Sequence, residues 1–286
     1  MAQHYIPPKV WSIELNDDKT ISAANRPTSG ARFEQPLPKG VHALQLYSMG
    51  TPNGQKVTIM LEELLALGIH QAEYDAFLIA IGKGDQFGSG FVDINPNSKI
   101  PALVDYSQPE PISIFESGHI LLYLAEKFDH FLPRNLMERT AVLNWLFWLQ
   151  GSAPYVGGGF GHFYYFAQEK LEYPINRFTM ETKRQLDVLD KQLAKTPYVA
   201  GEHYSIADIA IWPWFGNLVL GNLYNAKEFL QVNEYPHLLK WAQMIHSRPA
   251  VQRGRIVNRL MGEEWEKLTE RHSAADIDQV LSKKPQ

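Results

Sequence analysis

Asn97-Ser98-Lys99-Ile100-Pro101-Ala102-Leu103-Val104, followed a short turn later by Ile114-Phe115-Glu116-Ser117, decides how this chain is read. A proline entering a short apolar run cannot donate a ladder hydrogen bond, so Pro101 belongs at a strand's first residue or on a sheet edge. A cis Ile100-Pro101 bond turns the N–H and C=O of Ile100 outward, free to pair with an extended ligand. Glu116-Ser117 then opens an apolar-periodic segment, Ile120, Leu121, Tyr123 and Leu124, which predicts a helix. A helix start carrying a carboxylate and a hydroxyl suits an amino-acid end group. The Glu takes the ammonium, while the Ser and the N-terminal N–H groups take the carboxylate. The two pieces describe a site for a short peptide with a free α-amino-acid end.

Upstream, Leu44, Leu46 and Tyr47 read as a strand ending at Gly50. Thr51 is an N-cap and Pro52 sits at the first helical position, where its missing N–H does no harm. Val57, Met60, Leu61, Leu64 and Leu65 make the buried stripe, and Gly68 closes the helix. A second strand is expected near Glu73 to Leu78, then a flexible loop over Gly82 to Gly90. Ala102 to Asp105 and Ile112 to Phe115 pair as a hairpin across a Ser-Gln-Pro turn. A helix from Ser117 to Phe128 completes a βαβ-ββα unit, the order of the thioredoxin topology.

After Phe131-Leu132-Pro133-Arg134 the pattern is helical throughout. Leu143 to Leu149, Phe178 to Leu193, Ser205 to Leu220 and Pro236 to His246 carry broad apolar faces. Ser205-Ile206-Ala207-Asp208 is a capping box, which gives Asp208 a folding role despite its charge. The fold class is therefore α/β followed by all-α. A thioredoxin-like domain spans 43–131 and an all-helical domain 136–260. Residues 1–42, with prolines spaced along a polar segment, form an N-terminal extension, and 261–286 a tail with a frayed polar end from Ser273.

Composition narrows the function. The 286 residues are 45% hydrophobic with a net charge of −4, so no broad attraction for nucleic acid is expected. Met1 to Pro8 lacks the basic-then-apolar pattern of a signal peptide. The longest apolar region, Ile206 to Leu220, is interrupted by Asp208, Pro213, Gly216 and Asn217, and reads as a buried helix rather than a membrane span. A soluble, cytoplasmic protein is the expectation. The chain has no cysteine, which excludes disulfides, Cys-ligated zinc and a protein-borne redox dithiol. The ten histidines show no pair at metal spacing with a nearby carboxylate, so no metal is expected. Gly157-Gly158-Gly159-Phe160-Gly161-His162 follows no strand and lacks a Lys-Ser/Thr, so it is not a phosphate loop. It reads as a distorted helix junction that brings aromatic rings and His162 near a cleft.

Ser98-Lys99-Ile100-Pro101-Ala102-Leu103 with Glu116-Ser117 resembles the glutathione-binding signature of thioredoxin-fold glutathione transferases. Thr51-Pro52-Asn53-Gly54 resembles the nu class, bacterial transferase-like disulfide reductases. The resemblance covers roughly residues 43 to 260. It implies glutathione as substrate, with two molecules or one glutathione disulfide in each site. It implies a small disulfide as the other substrate, thiol peroxidase activity besides, and a homodimer. It also implies that Asn25, Thr51, Pro52, Asn53, Gln86, Ile100, Glu116, Ser117, Gln150 and Arg177 touch glutathione. Residue by residue the plainer readings stand beside these. Asn25 is also a solvated turn, Gln86 a loop amide, Arg177 a solvated or ion-paired cation, Lys99 a solvated lysine, and Thr-Pro-Asn-Gly an ordinary helix cap.

A chain without cysteine does thiol chemistry only with sulfur that a ligand brings. At the helix start after Thr51, backbone N–H groups carry partial positive charge, and the Thr51 hydroxyl and Asn53 amide or N–H can donate to a thiolate. Lowering a thiol pKa of ~8.5 by roughly 2 units requires ~2.7 kcal/mol of preferential thiolate stabilisation, within reach of a helix terminus plus two donors. Thr51 and Asn53 are therefore the catalytic candidates. No Tyr or Ser takes the place of Thr51; Tyr47 reads as core and Ser48 as a runner-up donor. That favours thiol–disulfide exchange over conjugation of electrophiles. The alternatives are a conjugating transferase and a non-catalytic binding module on the same fold.

Overall fold

The structure, a computed structural model, describes residues 6–15 and 24–285. Parts of the extension read over 1–42 (residues 1–5 and 16–23) and Gln286 of the tail therefore lie outside the described residues. The sheet is built as the pattern predicts. β1 (Leu44–Ser48) lies parallel to β2 (Tyr74–Leu78), with Leu46 opposite Ala76. On its other side β1 pairs antiparallel with β3 (Ala102–Asp105), which pairs with β4 (Ile112–Phe115). The order is β2-β1-β3-β4, the mixed sheet of a thioredoxin-like domain. Every residue of β1 is buried because both faces of the sheet are covered. Leu44 and Leu46 face the main core, together with α1 (Pro52–Ala66) and α3 (Ser117–Phe128). Tyr47, Phe77, Ala102 and Val104 make a smaller cluster on the far face.

That far face is where the loop expectation fails. The glycine spacing predicts a flexible loop over Gly82 to Gly90, but Asp85–Phe87 forms a 3-10 turn and α2 (Ser89–Ile94) follows directly. Phe91 and Phe87 are buried there, so the glycines between them serve close approach of chains rather than mobility. A Cβ on Gly90 would lie 2.8 Å from the Gln35 carbonyl oxygen. The extension runs across this turn: Arg32 N–H bonds to Phe87 O, Ser89 N–H to Phe33 O, and Gly90 N–H to Gln35 O. The Tyr47 hydroxyl donates to Pro38 O at 2.6 Å, so this tyrosine is core, as its strand position implies.

The second half is helical. α4 (Leu136–Pro154) is capped by Asn135, whose side-chain oxygen accepts from the N–H groups of Met137 and Glu138. It runs straight into a π-helical stretch, Tyr155–Phe166, followed by α5 (Glu172–Leu193). Ser205 to Leu220, one helix by its apolar pattern, is three segments in the structure. α6 (Ile206–Ile211) and α7 (Asn217–Leu220) flank a π-helical turn at Trp212–Gly216. Pro213 supplies no N–H to the ladder, and a Cβ on Gly216 would lie 2.4 Å from the Trp212 ring. α8 (Pro236–His246) and α9 (Pro249–Gly254) close the bundle, and α9 packs on α1.

The Ser205–Asp208 capping box is present. Asp208 accepts from the N–H groups of Val199 and Ser205 and from the Trp241 indole. Burial pushes its carboxyl up to about 6 against those donors. Ser205→Ala removes the oxygen that accepts from Ala207 N–H. It should cost about 1 kcal/mol, read as a lower urea midpoint at unchanged slope.

The tail also departs from expectation. Its polar composition predicts a frayed end from Ser273, yet α10 (Ala274–Leu281) forms, with Ser273 N–H donating to Asp276 at 2.7 Å and Ile277 buried. Before it, Arg271 exchanges two backbone hydrogen bonds with Ala76 on the outer side of β2. Its fully buried guanidinium meets Glu62 and Glu73 and stacks on Tyr74. The charge of Arg271 is thus met by carboxylates some two hundred positions earlier.

Candidate functional site

A cleft of about 440 Å³ opens where α1 starts, beside the loop before β3 and the start of α3. Asn25, Thr51, Asn53, Gln86, Ile100, Glu116 and Ser117 line it, with Ile81, Asn97, Ser98, Lys99, Pro101 and Trp214. Seven of the ten residues expected at the ligand thus share one cavity. Pro52 shapes the helix start behind Thr51 and Asn53 without lining the cleft.

The helix start is built for a polar guest. Thr51 caps α1 in extended conformation, its Oγ1 accepting from Gly54 N–H at 3.3 Å. With the oxygen so engaged, the hydroxyl hydrogen is available to another acceptor. Gly54 is required here, because a Cβ would sit 2.0 Å from the Met49 carbonyl oxygen. Asn53 N–H, at the second helical position, has no partner among the described residues. The Asn53 side-chain oxygen accepts from the Trp214 indole N–H at 2.9 Å, which fixes the amide with its NH₂ as the free end. Trp214 reaches this place because Gly157 yields to it: a Cβ there would lie 2.5 Å from the ring. Ser48, the runner-up donor, is buried and turned to Met49 O, away from the cleft wall.

The opposite wall holds the elements expected to bind a peptide. The Ile100-Pro101 bond is cis, and neither polar backbone group of Ile100 has a partner among the described residues. Ser98 and Glu116 both adopt positive φ, 52° and 70°, strained for residues with a Cβ. Glu116 is exposed at the N-terminus of α3, while Ser117 is buried. Gln86 donates to Ile81 O at 3.3 Å, leaving its buried Oε1 without a partner.

Beneath Ser117 lies a residue that sequence reading passed over. Lys56 of α1 is fully buried, and its ammonium donates to Ser117 Oγ at 3.2 Å and to Gln150 Oε1 at 3.4 Å. Burial pushes its pKa down to about 7, opposed by the Glu116 carboxylate. Gln150 of α4 therefore stands next to Ser117, although it does not line the cleft. Arg177 is exposed on α5 and is not among the lining residues. His162 is not brought to the cleft either; it packs edge-on against Phe163. The glycines of that run instead face rings, Phe178 over Gly159 and Tyr224 over Gly161. Among the described residues no group of three His, Asp or Glu side chains could hold a metal ion, and no helix is long and apolar enough to cross a membrane.

Comparison with known proteins agrees with this geometry. Residues 42–126 match the family model for the glutathione S-transferase N-terminal domain, and residues 172–243 the one for the C-terminal domain. The chain is 63% identical over 274 residues to the disulfide-bond oxidoreductase YghU of Escherichia coli strain K12, spanning 96% of this chain and 95% of the relative. It is 61% identical to the glutathione transferase YghU of Streptococcus pneumoniae, solved in complex with glutathione. That alignment covers 90% of this chain and 99% of the other, with a TM-score of 0.87. A glutathione transferase from Pseudomonas putida, solved with one glutathione disulfide per subunit, is 39% identical over 76% of this chain and 93% of its own, with a TM-score of 0.70. With a thioredoxin-like sheet, a helical bundle and both family models matched in chain order, this protein belongs to the glutathione S-transferase family.

Proposed function

We propose that the protein reduces small disulfides with glutathione, holding one glutathione thiolate at the start of α1 and a second glutathione in the same cleft. The observation that carries this is the convergence of three free donors, Thr51 Oγ–H, Asn53 N–H and the Asn53 amide, in one cleft with Ile100, Glu116 and Ser117. The bound thiolate attacks one sulfur of a disulfide RSSR, forming the mixed disulfide GSSR and expelling RS⁻. The second glutathione, as its thiolate, attacks the glutathione sulfur, giving GSSG and another RS⁻. The two thiol protons end on the two RS⁻, so that RSSR and 2 GSH give 2 RSH and GSSG.

In this reading Ile100 pairs its backbone with the cysteinyl unit. Glu116 and Ser117 hold the γ-glutamyl ammonium and carboxylate, and Asn25, Gln86, Gln150 and Arg177 serve the remaining polar groups of the pair. The unpaired Gln86 oxygen supports its assignment. The domain division is 43–131 and 136–260, with 1–42 and 261–286 as extension and tail. A homodimer is supported by the apolar side chains exposed along β4 and α4: Ile112, Phe115, Leu136, Met137 and Phe147. A glutathione-consuming reductase works in a compartment that keeps glutathione reduced, which supports the cytoplasm.

Purified protein should convert hydroxyethyl disulfide and glutathione to glutathione disulfide, followed through glutathione reductase and NADPH, well above the uncatalysed rate. Turnover indistinguishable from that background would reject the proposal. Strong activity on an aryl halide with none on the disulfide would favour conjugation instead.

A further inference from the structure

Lys56 presents a chemical imbalance. A lysine on a helix ordinarily carries its ammonium to solvent along its own stem, but this one is fully buried. Among the described residues no carboxylate lies within ion-pairing distance of it. Its contacts are two neutral oxygens, Ser117 Oγ and Gln150 Oε1. An ammonium only donates, so both oxygens accept from it. The Ser117 hydrogen is then free for the cleft that Ser117 lines, and the Gln150 amide keeps its NH₂ as a donor. Gly118 makes room for that amide, because a Cβ there would lie 2.9 Å from the Gln150 Nε2. One cation thus sets two side chains from different domains as donors, while lacking an anion of its own.

We propose that Lys56 is a positioning residue for the ligand's α-amino-acid end: it orients Ser117 and Gln150 toward the carboxylate and takes up a proton from solution when that carboxylate docks. The inference rests on the reading of the cleft as a glutathione site. In the unliganded protein, burial leaves the amine near half-protonated at neutral pH, with Glu116 of α3 the charge that acts on it. The other charges on the surrounding elements are committed or solvent-facing. Glu62 and Glu63 of α1 pair with Arg253 and Arg248. Arg255 after α9 meets Glu266, Asp208 of α6 is held by its own donors, and His119 of α3 is exposed. A docked carboxylate supplies the missing anion and holds the ammonium protonated. Affinity therefore falls as pH rises above about 7, where binding must be accompanied by proton uptake.

The test is calorimetry with S-methylglutathione, which has no thiol to titrate, at about pH 7.5 in phosphate and in Tris. Their different ionisation enthalpies report protons exchanged. Wild-type protein should take up about half a proton more than Lys56→Met. The variant's affinity at about pH 6.5 should be roughly tenfold lower or worse. Equal uptake by the two proteins overturns the proposal, as does a variant that binds as tightly as wild type. If Lys56→Met fails to fold by circular dichroism, the wild-type affinity profile decides. A decline between about pH 6.5 and 8.5 supports the role, and a flat profile overturns it. Wild-type protein that binds neither glutathione nor its S-methyl derivative overturns the reading of the cleft itself, a result distinct from binding without proton uptake.

Discussion

Thr51→Ala should lower disulfide turnover about 100-fold with a much smaller change in the concentration of glutathione needed for half-saturation. One donor aimed at a developing or resident anion in a water-poor site is worth a factor of roughly 10² to 10³. The proposed mechanism makes the Thr51 hydroxyl such a donor, its oxygen already being occupied by Gly54 N–H. The groups proposed to hold the peptide on the other wall, Ile100, Glu116 and Ser117, are untouched by the change, so binding should largely persist. Losing the cap also removes about 1 kcal/mol of stability, which circular dichroism separates from the kinetic effect. Thr51→Ser keeps both the cap and the donor and should restore most of the rate. The ultraviolet absorbance of bound thiolate, titrated against pH, should show a higher glutathione pKa in Thr51→Ala than in wild type. An unchanged pKa with unchanged turnover would remove Thr51 from the chemistry.

Lys56→Met should make the unliganded protein more stable, by about 2 kcal/mol near pH 7. A lysine whose pKa is depressed from its ordinary value to about 7 disfavours the folded state by on the order of 4 kcal/mol at neutral pH. Methionine fills similar volume, but Ser117 Oγ and Gln150 Oε1 lose their donor, which returns about 1 kcal/mol for each. The sign follows from linkage. Because the folded-state pKa is the lower one, wild-type stability from this group is greatest above about pH 10.5 and is lost as pH falls toward 7. The advantage of the variant should therefore be largest at or below pH 7 and shrink as pH rises. Urea unfolding at several pH values measures this directly. A less stable variant at every pH would mean that the lysine contributes to packing more than it costs in desolvation. Stability gained where ligand affinity is lost is the pattern of a group kept for function.

Local signals in the sequence carried the sheet, α1 and α3. Thr51 and Pro52 mark a helix start by themselves, and the β3–β4 hairpin follows from two short apolar runs around a turn. Five cleft-lining residues, Thr51, Asn53, Ile100, Glu116 and Ser117, were legible because three short motifs each keep their chemistry within a few positions; Asn25 and Gln86 came from the resemblance alone. What escaped reading depends on partners far along the chain. Lys56 sits beside a helical stripe like any solvated lysine; its two acceptors lie 61 and 94 positions away. Trp214 carried no sign that its indole would orient Asn53, 161 positions earlier. The glycine run before His162 suggested a distorted junction, and the π-helical stretch agrees, but which rings would fill the space is a tertiary matter. Arg177, tied to the ligand by resemblance, stands exposed on α5, outside the cleft wall.

Arg271 ties the open edge of the sheet to a segment far along the chain. Without the segment around Arg271, Ala76 would offer unpaired backbone groups along the outside of β2 to any neighbouring chain. Glu62 and Glu73 would then also lack the guanidinium that ends between them. An edge strand of the thioredoxin-like half is thus closed by a segment some two hundred positions later, and detaching that segment would bare an edge on which copies can stick together.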